Sequence, residues 1–244
     1  MAVAALALLK NYNTTRTSAS DTTTSFTPSA NAFLLAVFHG VTTNTATVSD
    51  STGLTWNVIN TATYNSSNRY TVAWAQAPAS PSSMTVTVTW GASFSGYVTG
   101  GVAETTGHNT TTPVIAASVK TGSGNSATFS TAAAPALSSS GNRQVIVACS
   151  RGPGTNAEAG WTGVIGQAGV NCMTFAAHIG TPGDTSPTAT DSGATSRAYA
   201  ALAFEIADGG LALAASGSEL TVAGGAPTYS GVFNAFRGLV LLWP

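Results

Sequence analysis

The sequence has 244 residues, a formal net charge of −1 and only 7% charged residues, whereas an average soluble domain has about a quarter. Ser and Thr together supply roughly a quarter of the chain, which predicts a weakly charged surface rich in hydroxyl groups. These values argue against nucleic-acid binding, because phosphate contacts require Lys and Arg clustered on one face and the eight cationic residues are spread along the chain.

Length and apolar content favour a folded β protein without a membrane span. Hydrophobic residues make up 43% of the chain, enough for a core, and the length suits one large β-sandwich or a sandwich with a small appendage. No uninterrupted apolar run reaches the roughly 18 residues that a membrane span needs. The apolar run at residues 2–9 lacks a basic segment before it and a cleavage site after it, so it is interpreted as a strand and not as a signal peptide.

The first half of the chain contains three strand patterns. Residues 33–38 are apolar on both faces, as expected of a central strand covered on both sides. Residues 70–74 alternate with period two, and in residues 84–90 Met, Val, Val and Trp point to one side and three Thr to the other. Both patterns indicate half-buried strands.

The second half repeats this kind of pattern. Residues 145–149 are apolar on both faces, and residues 173–179 and 202–206 alternate. Clusters of Gly, Ser, Asn and Pro separate the runs, and no helix of ten or more residues is indicated. The sequence therefore predicts an all-β fold, an antiparallel β-sandwich with a jelly-roll-like arrangement, with a closed barrel as the alternative.

Two cysteines, Cys149 and Cys172, lie inside apolar runs and lack a metal-binding spacing. If the strands around 144–150, 161–167 and 172–179 form a simple meander, the first and third run parallel and the cysteines lie at opposite ends. That separation is about a strand length, roughly 15 Å, which no disulfide spans. Both thiols are therefore predicted to be reduced and buried.

A boundary is predicted after Ile206, where residues 207–210 (Ala-Asp-Gly-Gly) interrupt the strand pattern. This divides the chain into a β-sandwich domain, residues 1–207, and a C-terminal extension, residues 208–244. The extension ends in an apolar segment that, if exposed, would form an adhesive patch. It could fold back onto the sandwich or dock on a neighbouring subunit. In the second case the predicted interface residues are Phe233, Phe236, Leu239, Leu241, Leu242 and Trp243.

The order of motifs between residues 33 and 206 carries a family resemblance. Its most diagnostic piece is Asp-Ser-x-Gly-x-Thr-Trp at residues 50–56, which leads from a turn into a strand. The other pieces are the strands at 33–38, 70–75, 84–88 and 200–206 and the segment 101–107. This order resembles a β-sandwich domain that recurs in phage tail and virion proteins and in bacterial secreted proteins. The resemblance implies display, adhesion or particle assembly, and it brings no catalytic residues.

Few residues offer catalytic chemistry. A glycoside hydrolase needs two carboxylates flanking a sugar bond, and Glu104 with Glu205 is the only pair considered, although both also fit structural roles at strand ends. No nucleophile elbow or phosphate-binding loop is found. The sequence therefore predicts no enzyme, no catalytic residue and no cofactor.

The metal and ligand hypotheses are also weak. His39, His108 and His178 are far apart in sequence, and His178 is predicted to point outward from its strand. Asp50 and Asp191 occupy turns that could offer oxygen ligands to calcium, but Asx-turn capping is favoured because each turn has a single carboxylate. No metal site is predicted. Four of the five tryptophans are interpreted as core residues, with Trp243 as a possible interface anchor.

Three functions follow from these observations. The first is a structural protein on the exterior of a tailed-phage virion, either a capsid decoration (cement) subunit or a tail-fibre or baseplate component. It would pack against copies of itself, with a homotrimer expected, and against capsid or tail proteins. The second is a carbohydrate-binding or adhesin module that contacts a host-surface glycan, and the third is a glycoside hydrolase.

Overall fold

A computed structural model of the chain describes residues 2–16, 18–152, 154–169, 172–180, 183–210, 213–216 and 219–222. It divides into two compact units, Met1–Gly210 and Leu211–Pro244. Within the described residues the regular structure is β-strand, apart from one short 3-10 turn at Ala116–Ser118. No helix in the described part of the chain is long and apolar enough to cross a membrane.

The larger unit contains sixteen strands that fall into two successive sets of eight. The first set is β1 (Ala7–Arg16), β2 (Ser20–Thr22), β3 (Phe33–Gly40), β4 (Ala46–Asp50), β5 (Asn57–Tyr64), β6 (Asn68–Gln76), β7 (Val86–Trp90) and β8 (Gly96–Thr105). The second set is β9 (Lys120–Ser126), β10 (Thr128–Ser130), β11 (Arg143–Ser150), β12 (Thr155–Ala157), β13 (Thr162–Gly169), β14 (Cys172–Ile179), β15 (Thr188–Asp191) and β16 (Arg197–Ile206).

The two sets have the same topology. The first forms a five-stranded sheet in the order β1-β8-β3-β6-β5 and a three-stranded sheet in the order β2-β7-β4. The second forms a five-stranded sheet in the order β9-β16-β11-β14-β13 and a three-stranded sheet in the order β10-β15-β12. Each strand of one set corresponds to the strand eight places along in the other, and every pairing is antiparallel. The unit is therefore an internal structural repeat of one β-sandwich, and the all-β, antiparallel prediction is confirmed.

Register supports this correspondence in detail. In the first copy a bulge separates the pairs Val58↔Ala73 and Asn60↔Val72. In the second copy a bulge at the same place in the strand pairing separates Gly163↔Ala177 and Ile165↔Ala176. A bulge adds one residue to a strand and changes the direction in which the side chains after it point. Because the bulge recurs at the same position, the edge strands β5 and β13 turn their side chains in the same way.

Three hydrophobic clusters arrange the sheets into a stack of four layers. The central cluster joins the two five-stranded sheets and contains Phe33 and Leu35 of β3 with Val145 and Val147 of β11. A second cluster fills the space between the first five-stranded sheet and its three-stranded sheet, and a third does the same in the second copy. Both five-stranded sheets are therefore covered on both faces, which explains why residues 33–38 and 145–149 are apolar throughout.

This stacking confirms the strand patterns but corrects two expectations. β11 pairs directly with β14, with Cys149 opposite Thr174, so the strands of the two cysteines are antiparallel neighbours and the predicted meander is wrong. Cys149 is a buried thiol, whereas the side chain of Cys172 lies outside the described residues. The N-terminal strand begins at Ala7 and extends to Arg16, later than the apolar run predicted, although Val3 and Leu6 are buried in the central cluster.

The smaller unit contributes one described hairpin. Its strands are β17 (Leu213–Ser216) and β18 (Glu219–Val222), which pair antiparallel with Leu213 opposite Val222. The predicted interface residues Phe233, Phe236, Leu239, Leu241, Leu242 and Trp243 lie outside the described residues, so their role stays a prediction.

Candidate functional site

The two glutamates considered as a hydrolase pair occupy equivalent positions in the two copies and lie far apart. Glu104 pairs opposite Leu34, whose side chain packs toward the first three-stranded sheet. Glu205 pairs opposite Gln144 on the face of β11 that carries Ile146 toward the second three-stranded sheet. The two carboxylates therefore face away from each other across the central core, and they cannot flank one sugar bond.

Each glutamate instead caps the loop that enters the third strand of its copy. Glu104 accepts hydrogen bonds from the backbone nitrogen of Ser29 at 2.7 Å and from its hydroxyl at 2.8 Å. Glu205 accepts the same two bonds from Ser138, at 2.7 and 2.9 Å, and a further bond from Asn142. The repeated Ser–Glu contact shows a structural role for both side chains.

Asp50 and Asp191 close turns, as the capping interpretation predicted. Asp50 accepts bonds from the backbone nitrogens of Thr52 and Leu54 and from Trp56 Nε1, at 2.6, 3.0 and 2.8 Å. Burial alone would raise the pKa of Asp50, but the bonds from the Thr52 hydroxyl, Trp56 and the two backbone groups outweigh it and lower that pKa. Asp191 accepts from the backbone nitrogen of Gly193 at 2.8 Å. Across the described residues no cluster of three or more His, Cys, Asp or Glu side chains could hold a metal ion.

His178 is buried, which corrects the expectation that it points outward. The alternation predicted along its strand is present, but the face shared by Thr174, Ala176 and His178 is covered by the other five-stranded sheet. Arg143 donates to its Nδ1 at 3.0 Å. Burial, with a smaller contribution from the Arg143 charge, lowers the pKa of His178 to about 4. Sequence reasoning missed this because it assumed that one face of the strand meets water.

His108 packs within the first copy, and among the described residues it belongs to no cluster that could hold a metal ion. Its Nε2 donates to Oε1 of Gln76 at 2.6 Å, and its ring lies edge-on to Phe33 with centroids 5.6 Å apart. Burial lowers the pKa of His108. The side chain therefore stays neutral near pH 7 and serves packing.

His39 lies at the centre of the stack, where it links the two copies. Its Nδ1 donates to the carbonyl oxygen of Met173 in the second copy at 3.1 Å, and its Nε2 accepts from the Tyr64 hydroxyl at 2.7 Å. Burial lowers the pKa of His39 to about 3, although the bond to Met173 opposes this shift. Nearby, the hydroxyls of Thr99 and Thr174 also bond across the interface at 2.8 Å.

Tryptophans divide between the core and its margins. Trp90 and Trp161 are buried, as predicted for core residues. Trp56 and Trp74 are half-buried at the edge of clusters, with Trp74 stacked on Phe33 at a centroid distance of 5.6 Å. None of these four forms an open platform for a sugar ring, so the hypothesis of a tryptophan platform finds no support among them.

A polar cleft, which we call the β5–β9 cleft, opens between the two five-stranded sheets. It has a volume of about 300 Å³. One wall carries Asn60, Tyr64 and Tyr70 of the first copy, and the other carries Thr121, Ser123 and Ala200 of the second. No single stretch of sequence indicates this cleft, since its walls come from β5 and β9, about 60 residues apart. The internal repeat has to be recognised before these strands can be placed opposite each other.

The outer face of the first three-stranded sheet is a grid of hydroxyl groups, which we call the hydroxyl face. Backbone register aligns Ser20, Thr89 and Thr47 in one row and Thr22, Thr87 and Ser49 in the next. The Thr22 and Thr87 hydroxyls bond to each other at 2.9 Å. The second copy presents a similar hydroxyl-rich face, formed by Thr128, Ser130, Asn156, Thr188 and Thr190, which also carries the exposed carboxylate of Glu158 bonded to Thr188.

Comparison with known proteins gives no relative for this chain: no protein-family model, no curated protein and no solved structure matches it.

Proposed function

We propose that the chain is a non-enzymatic structural protein of a tailed-phage virion, located on the particle exterior as a capsid decoration subunit or a tail-fibre or baseplate component. It acts by packing against copies of itself, as a homotrimer, and against capsid or tail proteins. The phage setting rests on the resemblance of residues 33–206 to the β-sandwich domain described above.

The observation that carries the proposal is the hydroxyl face. Its two rows consist of uncharged Ser and Thr side chains, and the equivalent face of the second copy is also rich in hydroxyls, with one carboxylate, that of Glu158, held by Thr188. Contact through such hydroxyl-rich faces requires little desolvation of charge, which is a major cost of burying polar surface at an interface. Hydroxyls can then exchange water for hydrogen bonds across an interface.

The internal hydrogen bonding of the carboxylates also supports a structural role. Glu104, Glu205, Asp50 and Asp191 each cap a loop or turn of the sandwich. Burial and dense packing of four layers suit a rigid building block, because tightly packed interiors transmit load with little deformation.

Sedimentation velocity and co-sedimentation with phage particles test this proposal. The full chain is expected to form a trimer and to bind particles that lack it. Thr87→Lys together with Thr89→Lys places two charges in the hydroxyl face and is expected to abolish one or both associations. Thr110→Lys, in an exposed loop, is the matched control and should leave both intact. A wild-type chain that stays monomeric at high concentration and ignores particles would contradict the proposal.

A further inference from the structure

The β5–β9 cleft has the composition of a ligand site for a neutral, hydroxylated molecule. Its walls offer two tyrosine rings, the amide of Asn60 and the hydroxyls of Thr121 and Ser123, and among the described residues no charged side chain lines it. Its volume of about 300 Å³ equals the lower limit of typical small-ligand sites, roughly 300–1,000 Å³. We propose that this cleft binds one sugar unit of a neutral saccharide.

The chemistry of the walls selects this class of ligand. A sugar ring has an apolar C–H face that packs on aromatic rings and a rim of hydroxyls that both donate and accept hydrogen bonds. Tyr64 and Tyr70 form the nearly buried floor, while Thr121 and Ser123 are exposed at the rim. The described residues of these walls include no cation that would offset the loss of hydration of an anionic ligand.

The floor of the cleft is fixed before any ligand arrives. The Tyr64 hydroxyl donates to His39, which is held in turn by the carbonyl of Met173. The Tyr70 hydroxyl donates to Oδ1 of Asn60 at 2.7 Å, so the amide nitrogen is the part of Asn60 with donor hydrogens for a ligand. Fixed walls lower the entropy cost of binding.

The internal repeat shows that the fold does not require this cleft to be polar. At the equivalent place in the second copy, Ile165 replaces Asn60 and is buried against Gly101, where an added Cβ would lie 3.1 Å from Ile165 Cγ2. Thr174 replaces Tyr70 and bonds to Thr99 across the interface. The second copy therefore closes this space with an aliphatic side chain and a hydroxyl pair, whereas the first keeps it open and lined with donors and acceptors.

Titration of the ¹⁵N-labelled full chain tests the site. The probes are neutral oligosaccharides built from glucose, galactose, mannose or N-acetylglucosamine, with glucuronic acid and sialic acid oligomers as anionic counterparts. At least one neutral probe is expected to shift amide resonances of β5 and β9 with a millimolar or tighter Kd, and the anionic probes should not. Asn60→Ile, which copies the second repeat, and the milder edge variant Ser123→Val should each weaken binding by tenfold or more. Thr110→Val, in an exposed loop outside both the cleft and the hydroxyl face, should bind as wild type.

Three results would overturn the assignment: no neutral probe shifts the cleft resonances, the anionic probes bind as well, or both cleft variants keep wild-type affinity. Ser123→Val lies at an exposed rim position, so it keeps the test valid if Asn60→Ile fails to fold. The inference is independent of particle assembly, because the cleft variants are expected to retain the oligomeric state of the wild type.

Discussion

The Tyr64 hydroxyl donates to Nε2 of His39 over 2.7 Å, and the two rings stack with their centroids 5.4 Å apart. His39 is fully buried, and its other nitrogen donates to a carbonyl of the second copy. A neutral imidazole is favoured here, because protonation of Nε2 would reverse the direction of its bond with the Tyr64 hydroxyl and place a charge in the core. The stability of the contact between the two copies therefore depends on pH.

Acidification is expected to destabilise the fold between about pH 6.5 and pH 3. The folded side chain of His39 takes up a proton only near its pKa of about 3, whereas an unfolded histidine does so near 6.5. Since the unfolded chain binds more protons in this window, the free energy of unfolding falls as pH falls, by about 1.4 kcal/mol per pH unit for one such group. Urea unfolding at several pH values between 7 and 4 measures the slope.

His39→Gln removes this titration and can retain both hydrogen bonds, because its amide offers one donor and one acceptor. The free energy of unfolding of the variant should therefore change less with pH than that of the wild type. The difference in slope should correspond to about one bound proton. His178, whose pKa is about 4, remains and keeps part of the slope. Equal slopes for variant and wild type would show that His39 titrates normally.

Gly101 packs against Ile165 of the second copy, so Gly101→Ala is expected to be destabilising. The added Cβ would lie 2.8 Å from the backbone oxygen of Lys10 and 3.1 Å from Ile165 Cγ2. Such overpacking typically costs about 1–3 kcal/mol. Gly166→Ala on the neighbouring sheet is the control, since its Cβ would meet no atom within 4 Å. Denaturant unfolding should separate the two variants, and a Gly101→Ala protein as stable as Gly166→Ala would argue against this interface.

Asp50→Ala should destabilise the first copy because it removes the acceptor of four hydrogen bonds in one turn, two from Thr52 and one each from Leu54 and Trp56. The expected loss is about 1–3 kcal/mol, measured by thermal or urea unfolding. Thr47→Ala, whose hydroxyl makes one long bond of 3.4 Å to the backbone, should change stability by less than about 0.5 kcal/mol.

Thermal unfolding with and without calcium distinguishes a capping role of Asp50 from a metal site at this turn. If the turn only caps itself, calcium chloride leaves the Tm of the wild type unchanged, because a ligand stabilises a fold only by binding it. A calcium-dependent rise in Tm that disappears in Asp50→Ala would restore the metal hypothesis.

Local patterns predicted strands well but could not reveal how the strands stack. Alternation at residues 84–90 and the doubly apolar runs at 33–38 and 145–149 identified half-buried and central strands. Sequence comparison of the two halves does not reveal the repeat, because equivalent positions keep their register but not their residue type, as Asn60 and Ile165 show.

The same limit explains the errors in site placement. His178 was assigned to the surface by alternation alone, although a second sheet covers its face. Glu104 and Glu205 were grouped by residue type, whereas their equivalence in the repeat places them on opposite faces of the stack. The Asp50 turn was predicted correctly because an Asx cap depends on residues close in sequence.

The last prediction concerns the C-terminal unit. Truncation after Gly210 keeps the whole of Met1–Gly210, including Asp208, whose carboxylate accepts from Ser139 and whose backbone nitrogen donates to Asn142. The shortened chain is therefore expected to fold with the β content and Tm of a complete stack of four sheets. It loses Phe233, Phe236, Leu239, Leu241, Leu242 and Trp243.

Full burial of each of these large apolar side chains is worth about 1.5–3 kcal/mol, so even half-burial in a subunit contact would decide the oligomeric state. The truncated chain should sediment as a monomer or fail to join the particle, in contrast to the full chain. Trp243→Ser in the full chain, which removes one anchor and leaves the rest, should weaken association without abolishing it. Normal assembly of the truncated chain would show that the extension packs only on its own subunit, and failure of that chain to fold would place the domain boundary elsewhere.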